Sequence, residues 1–144
     1  MRLLIERVSK AKCVINGNYH SVINEGLLVY VAFTSSDTKE VIDKGVSKLL
    51  KLRIFSDKFG KMNLSVKDIN GRVMIISSFS LYGDTKGSNR PSFTKSLSFN
   101  EAKPLYDYFV RQVKLEVTAE TGVFGANMQI DAINDGPVSI IMYL

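Results

Sequence analysis

A chain of 144 residues, 45% hydrophobic and 23% charged, has the length and balance of one soluble globular domain. Its single cysteine, Cys13, excludes an internal disulfide and a thiolate metal site, and the opening MRLLIERVSK is too charged for a signal peptide or a membrane span, so a cytoplasmic protein with no membrane partner is expected. Nineteen Lys and Arg against fourteen Asp and Glu leave a net charge of +5, which favours approach to nucleic acid, although the charges form no basic run.

In chain order, LLIERV (3–8) and KCVI (12–15) are rich in β-branched and apolar residues and are expected as strands. Asn16-Gly17 is a turn dipeptide that would join the second strand to a short one over 20–23 as a hairpin. LLVYVAF (27–33) is the next strand. In DTKEVIDKGVSKLLKL (37–52), Val41, Ile42, Val46, Leu49 and Leu50 recur at helical spacing and Asp37 and Glu40 stand at capping-box spacing, while Gly45 weakens the helix without forbidding it. Asn70-Gly71 is a second turn, followed by the strand VMIISSFSLY (73–82). NEAKPLYDYFVRQV (100–113) is a second helix with Leu105, Phe109 and Val113 on one face, provided that Pro104 falls in the first turn. MQIDAI and VSIIMYL are the last strands. No repeat, linker or low-complexity tract divides the chain, so one compact α/β domain over 1–144 is expected.

Candidate chemistry is sparse. His20 is the one histidine, so a His-rich metal site is impossible and a Ser-His-Asp triad would depend on it alone. No Gly-x-Ser-x-Gly elbow, no glycosidase-like carboxylate pair and no glycine-rich phosphate loop accompanies it, and neither a metal nor a cofactor is expected. What remains is Ser77-Ser78-Phe79-Ser80-Leu81, three hydroxyls where an apolar strand runs into a polar loop. A serine without a base is a poor nucleophile, so backbone N–H groups that stabilise an oxyanion, with a nucleophile supplied by the substrate, are the first candidates. Asn134-Asp135-Gly136-Pro137-Val138-Ser139, between the last two strands, reads either as a reverse turn or as a piece of active site made of backbone.

SSFSLYGDTKGSNRPSF (77–93) and TGVFGANMQIDAINDGPVS (121–139), with MRLLIERV and LRIFSDKFGKMN (52–63), resemble the D-aminoacyl-tRNA deacylases, also called D-tyrosyl-tRNA deacylases, and the likeness runs end to end. The family's Ser-Gln-Phe-Thr-Leu and Asn-x-Gly-Pro-x-Thr signatures are met with three departures, Ser78 for Gln and Ser80 and Ser139 for Thr. The two Thr-to-Ser changes keep a hydroxyl, whereas Ser78 loses an amide that could donate and accept.

The resemblance implies a layered β/α/β arrangement of mixed sheets with about six or more strands and two main helices. It implies a homodimer that hydrolyses the ester of D-aminoacyl-tRNA, and of glycine mischarged on tRNA, and rejects L-aminoacyl groups. By the same likeness, Gly136 and Pro137 form a cis peptide inserted into the partner's site as a chiral filter, and Arg7 braces their loop. Ser77, Phe79 and Ser80 lie by the scissile ester with the Phe79 or Ser80 N–H at the oxyanion. Ser78 touches substrate, and Phe124 and Met128 fall where the family seats the terminal adenine. Ser80 and the 2′-hydroxyl of the terminal adenosine are the alternative nucleophiles, and the RNA hydroxyl fits the missing base better. Two rival functions are a paralogue without turnover that binds tRNA or other nucleic acid, and a general esterase using His20.

Overall fold

The computed structural model describes residues 1–144. The expected strands LLIERV and KCVI are one strand, β1 (Arg2–Ile15). Exposed Ser9 and Lys10 interrupt its apolar pattern, and the register shifts at Ser9, but β8 (Met128–Tyr143) pairs antiparallel with β1 on both sides of that point, from Arg2 to Ile15. On its other edge β1 changes partner. Arg2 to Val8 pair with β3 (Gly26–Ala32), and Ala11 to Ile15 pair with β2 (Asn18–Ile23) across the Asn16-Gly17 turn, whose φ of 52° and 76° suit a tight hairpin.

The rest of the main sheet is parallel. β3 lies beside β6 (Arg72–Ser77), and β6 beside β7 (Ala119–Thr121), giving the order β2-β1-β3-β6-β7 with β8 on the far edge of β1. The connection from β3 to β6 carries α1 (Lys39–Leu50) and a separate two-stranded ladder, β4 (Phe55–Ser56) with β5 (Met62–Leu64); that from β6 to β7 carries α2 (Phe99–Lys114). Eight strands and two helices in a mixed α/β arrangement agree with the expected fold class.

Both helices cover one face. Ile42, Val46, Leu49 and Leu50 of α1 and Ala102, Tyr106, Phe109 and Val113 of α2 join Leu3, Ile5, Leu27, Val29, Val31, Val73 and Ile75 in the larger core. The alternate residues of the same strands, Leu28, Met74 and Ile76, meet Val8, Ala11, Cys13 and Ile23 in a smaller core on the opposite face. No helix lies there; β2 closes it, and the Ser21 hydroxyl donates to the Thr121 carbonyl at 2.9 Å. Burial on both faces is why β3 reads as a continuous apolar run.

Three local expectations change. The N-cap of α1 is Thr38, whose Oγ1 accepts from the Val41 N–H; Asp37 instead takes the Thr34 N–H at 2.8 Å and the N-terminal ammonium. Pro104 is the sixth residue of α2, one turn later than expected, and the helix tolerates it with the Asn100 carbonyl left without its amide. The stretch VMIISSFSLY is strand only to Ser77; the Ser78 N–H donates to the Val31 carbonyl at 2.9 Å, and Phe79–Tyr82 then forms a single 3₁₀ turn. Gly45 is the position where both chain ends pack on α1, since a Cβ there would lie 2.8 Å from Leu144 Cδ1.

Candidate active site

The carboxyl ends of the parallel strands β3 and β6 open into a cavity of about 410 Å³. Ligands gather at such ends because the ladder stops there and leaves backbone amides and loops free. Ser77, Ser78, Phe79 and Ser80 line it together with Phe33, Leu97, Phe99 and Phe124. Phe79 is 61% exposed and meets Phe93 edge-on at 5.0 Å, while Phe99 and Phe124 stand edge-on at 5.1 Å. Behind them the Tyr106 hydroxyl donates to the Ile75 carbonyl at 3.0 Å, and burial pushes its pKa up, so it stays a donor.

None of the fourteen residues lining the cavity has a carboxylate, imidazole, amine, guanidinium, thiol or phenol. The Ser80 hydroxyl meets only the Ser78 hydroxyl, at 3.0 Å. The N–H groups of Phe79 and Ser80 open the 3₁₀ turn and therefore have no acceptor within it. The cavity thus offers donors and aromatic surface without an acid or base. Arg2, from β1, anchors the far end of the turn: its guanidinium donates to the Leu81 carbonyl at 2.8 Å and lies 4.4 Å over the Tyr82 ring.

The Gly-Pro segment is neither of the two strands' ends nor a reverse turn. Glu6 lies opposite Ser139 and Val8 opposite Asn134, so Arg7 alone faces Asp135 to Val138. The chain leaves β8 for four residues and rejoins it in the same direction, an excursion hung on one residue of β1. Asn134 closes its base, its side-chain carbonyl accepting the Val138 N–H and its amide donating to Ser139 Oγ, both at 2.9 Å. Arg7 is buried; its Nε donates to the Asp135 carbonyl at 3.0 Å and its Nη1 to the Ile54 carbonyl at 2.7 Å. Val138 is buried as the anchor, and Gly136 and Pro137, joined by a cis peptide, are exposed. Gly136 has φ +131°, and a Cβ on it would lie 2.8 Å from Val138 Cγ2 and 2.9 Å from Arg7 Nη2, so no other residue fits without displacing the brace.

The expected site residues therefore fall into two groups. Ser77 to Ser80 and Phe124 line one cavity, whereas Gly136, Pro137 and Arg7 do not line it within the same chain. Met128 packs half-buried against the smaller core rather than on the cavity wall, and His20 is exposed on β2. Phe99, Phe93 and the Asn134–Ser139 clasp were not foreseen; Phe99 follows the capping Ser98 as the first residue of α2 and carries no motif of its own.

Residues 4–143 match the model of the family described as D-Tyr-tRNA(Tyr) deacylase. A D-aminoacyl-tRNA deacylase of Finegoldia magna (strain ATCC 29328 / DSM 20472 / WAL 2508) is 48% identical over 143 residues, covering 99% of this chain and 97% of its own length. The solved structure of a c-Myc DNA Unwinding Element Binding Protein superposes with a TM-score of 0.96 at 30% identity, covering 100% of this chain and 99% of that one. A probable eukaryotic D-amino acid tRNA deacylase superposes with a TM-score of 0.87 at 18% identity, covering 98% and 97% of the two chains, a likeness of fold.

Proposed function

The chain belongs to the D-Tyr-tRNA(Tyr) deacylase family and is a hydrolase of the D-aminoacyl-tRNA deacylase type; from that premise we propose how its two groups of residues share the work. The cavity takes the aminoacylated 3′ end of tRNA, with the terminal adenine against Phe124 and Phe99. The ester carbonyl faces the Phe79 and Ser80 N–H groups, which hold the oxyanion as water adds to the carbonyl carbon. The bond to the ribose oxygen then breaks, that oxygen takes a proton, and free D-amino acid and tRNA leave. With no base in the cavity, the 2′-hydroxyl of the terminal adenosine assists the attack, and Ser77, Ser78 and Ser80 supply hydrogen bonds.

The observation that carries this reading is the braced excursion at Gly136-Pro137, exposed and held away from its own cavity. It completes the cavity of a second copy. Its carbonyls receive the substrate's ammonium and its bulk occupies the space an L side chain would need, while a D side chain projects elsewhere and glycine escapes selection. A homodimer also answers the edge problem of β8, a sixteen-residue strand with one side unpaired and Ile133, Ile141 and Tyr143 exposed, since long unprotected edges are otherwise aggregation sites. No helix is long and apolar enough to cross a membrane, and a cytoplasmic place beside the translation machinery fits the substrate.

Purified protein is expected to release D-tyrosine from D-Tyr-tRNA far faster than L-tyrosine from L-Tyr-tRNA. Equal rates at high enzyme concentration would remove the chiral reading. Nucleic-acid binding without turnover is disfavoured by the 48% identity to a deacylase, although the relative named for binding a DNA unwinding element makes DNA affinity worth measuring in the same preparation.

A further inference from the structure

A second groove, of about 550 Å³, runs along the exposed side of α2 against residues 121–124. Lys103, Asp107, Arg111 and Lys114 line it at successive turns of the helix, a stripe about 16 Å long at 1.5 Å per residue. Three cations stand against one carboxylate, and that carboxylate is engaged by Lys103 Nζ at 2.7 Å. Arg111 rests its guanidinium 5.1 Å over the Tyr108 ring, and Lys114 belongs to none of the ion pairs of the fold. Cations in the last helical turn complement the helix dipole, but that does not account for a stripe reaching back to Lys103.

The groove adjoins the cavity at Phe124, which lines both. The cavity itself presents no charge to a phosphate. We infer that the α2 groove is the track for the phosphates of the single-stranded acceptor end of tRNA, with Arg111 and Lys114 as the phosphate-binding residues. This rests on the deacylase reading, and it adds where the RNA lies once its terminal adenosine is seated at Phe124. A strand leaving that position along α2 meets cations at helical spacing, which a flexible single strand can follow without base recognition.

The test compares wild type with the double variant Arg111→Gln, Lys114→Gln. Both side chains are exposed, so the fold is not at stake. Affinity for uncharged tRNA is measured from 50 to 200 mM salt. Loss of two single-strand phosphate contacts should flatten the logarithmic salt slope by about 1.4, so that wild type loses about sevenfold more affinity than the variant across that range. At low salt the ratio of kcat/KM on D-Tyr-tRNA to kcat/KM on 3′-O-D-tyrosyl-adenosine, which has no phosphate, should also fall, through KM. An unchanged slope with an unchanged ratio overturns the track. So does a wild-type slope on unrelated duplex DNA equal to that on tRNA and flattened alike by the substitutions, the mark of a generic cationic surface. Failure of wild type to hydrolyse either ester would instead strike the deacylase reading, while the tRNA slope would still decide the groove.

Discussion

Ser80 is the residue on which two mechanisms part. Its hydroxyl has one partner, the Ser78 hydroxyl, and no group able to take its proton lines the cavity. Ser80→Ala is therefore expected to keep kcat within about tenfold of wild type, or about 1.4 kcal/mol in barrier; a nucleophile lost would cost several orders of magnitude in single-turnover assays. Gly136 is the converse case, a residue whose value lies in what it lacks. An alanine methyl at Gly136 would press on Val138 and on the Arg7 guanidinium. Gly136→Ala should reduce the ratio of D-Tyr-tRNA to L-Tyr-tRNA hydrolysis by about tenfold or more, equivalent to about 1.4 kcal/mol of discrimination. A preserved ratio would show that the loop tip is no part of the filter. Both residues were legible because they sit in ordered motifs, Ser-x-Phe-Ser-Leu and Asn-x-Gly-Pro. Phe99 was not, since an aromatic with no motif around it reads as ordinary surface or core until the fold sets it in the same cavity as Phe79.

Elements with a sustained period or a long apolar run were readable and those with neither were not. α1 and α2 declare a helical spacing and β3 and β6 a continuous apolar run, whereas β4, β5 and β7 are two or three residues long and too short to show either. β1 was read as two strands because the stretch between its apolar runs is polar, yet pairing with β8 depends on backbone and not on side-chain polarity. Asp37 was expected at the helix cap and serves the chain's first residue instead, a partner 36 positions away that no local pattern can announce. The β4–β5 ladder makes an element-level prediction. The Asp57 carboxylate accepts from the Phe59 N–H at 2.8 Å, the Lys61 N–H at 3.0 Å and the Asn63 amide at 3.2 Å, and the two backbone donors, Lys61 foremost, hold its pKa below the ordinary value. A carboxylate depressed in the folded state contributes stability above its unfolded pKa, about 3.9, and loses it as pH falls through the lower folded value. Melting temperature should thus decline below about pH 4, and Asp57→Asn should make that decline shallower; parallel acid profiles would remove the assignment.

At the scale of the whole molecule, the proposed active site belongs to no single chain. Ile141 and Tyr143 stand exposed on the face of β8 turned away from the helices, in register with Leu4 and Arg2 of β1 and near Leu81. Ile141→Lys is expected to shift sedimentation from dimer to monomer and to abolish chiral discrimination together, with far-ultraviolet circular dichroism unchanged. A monomer that still tells D- from L-Tyr-tRNA would refute the shared site. The proposed homodimer and shared site rest on family likeness, because an interface between copies leaves no period in the sequence of one.

β1 holds both halves of this arrangement at once. Arg2 fastens the 3₁₀ turn through the Leu81 carbonyl, and Arg7, five positions on and on the same strand, fastens the loop proposed to serve the neighbouring cavity. In a mixed dimer, a chain damaged only in the turn and a chain damaged only in the loop would rebuild one whole site between them by complementation. A chain with a displaced β1 has nothing intact to lend to either side, and a wild-type neighbour cannot rescue it.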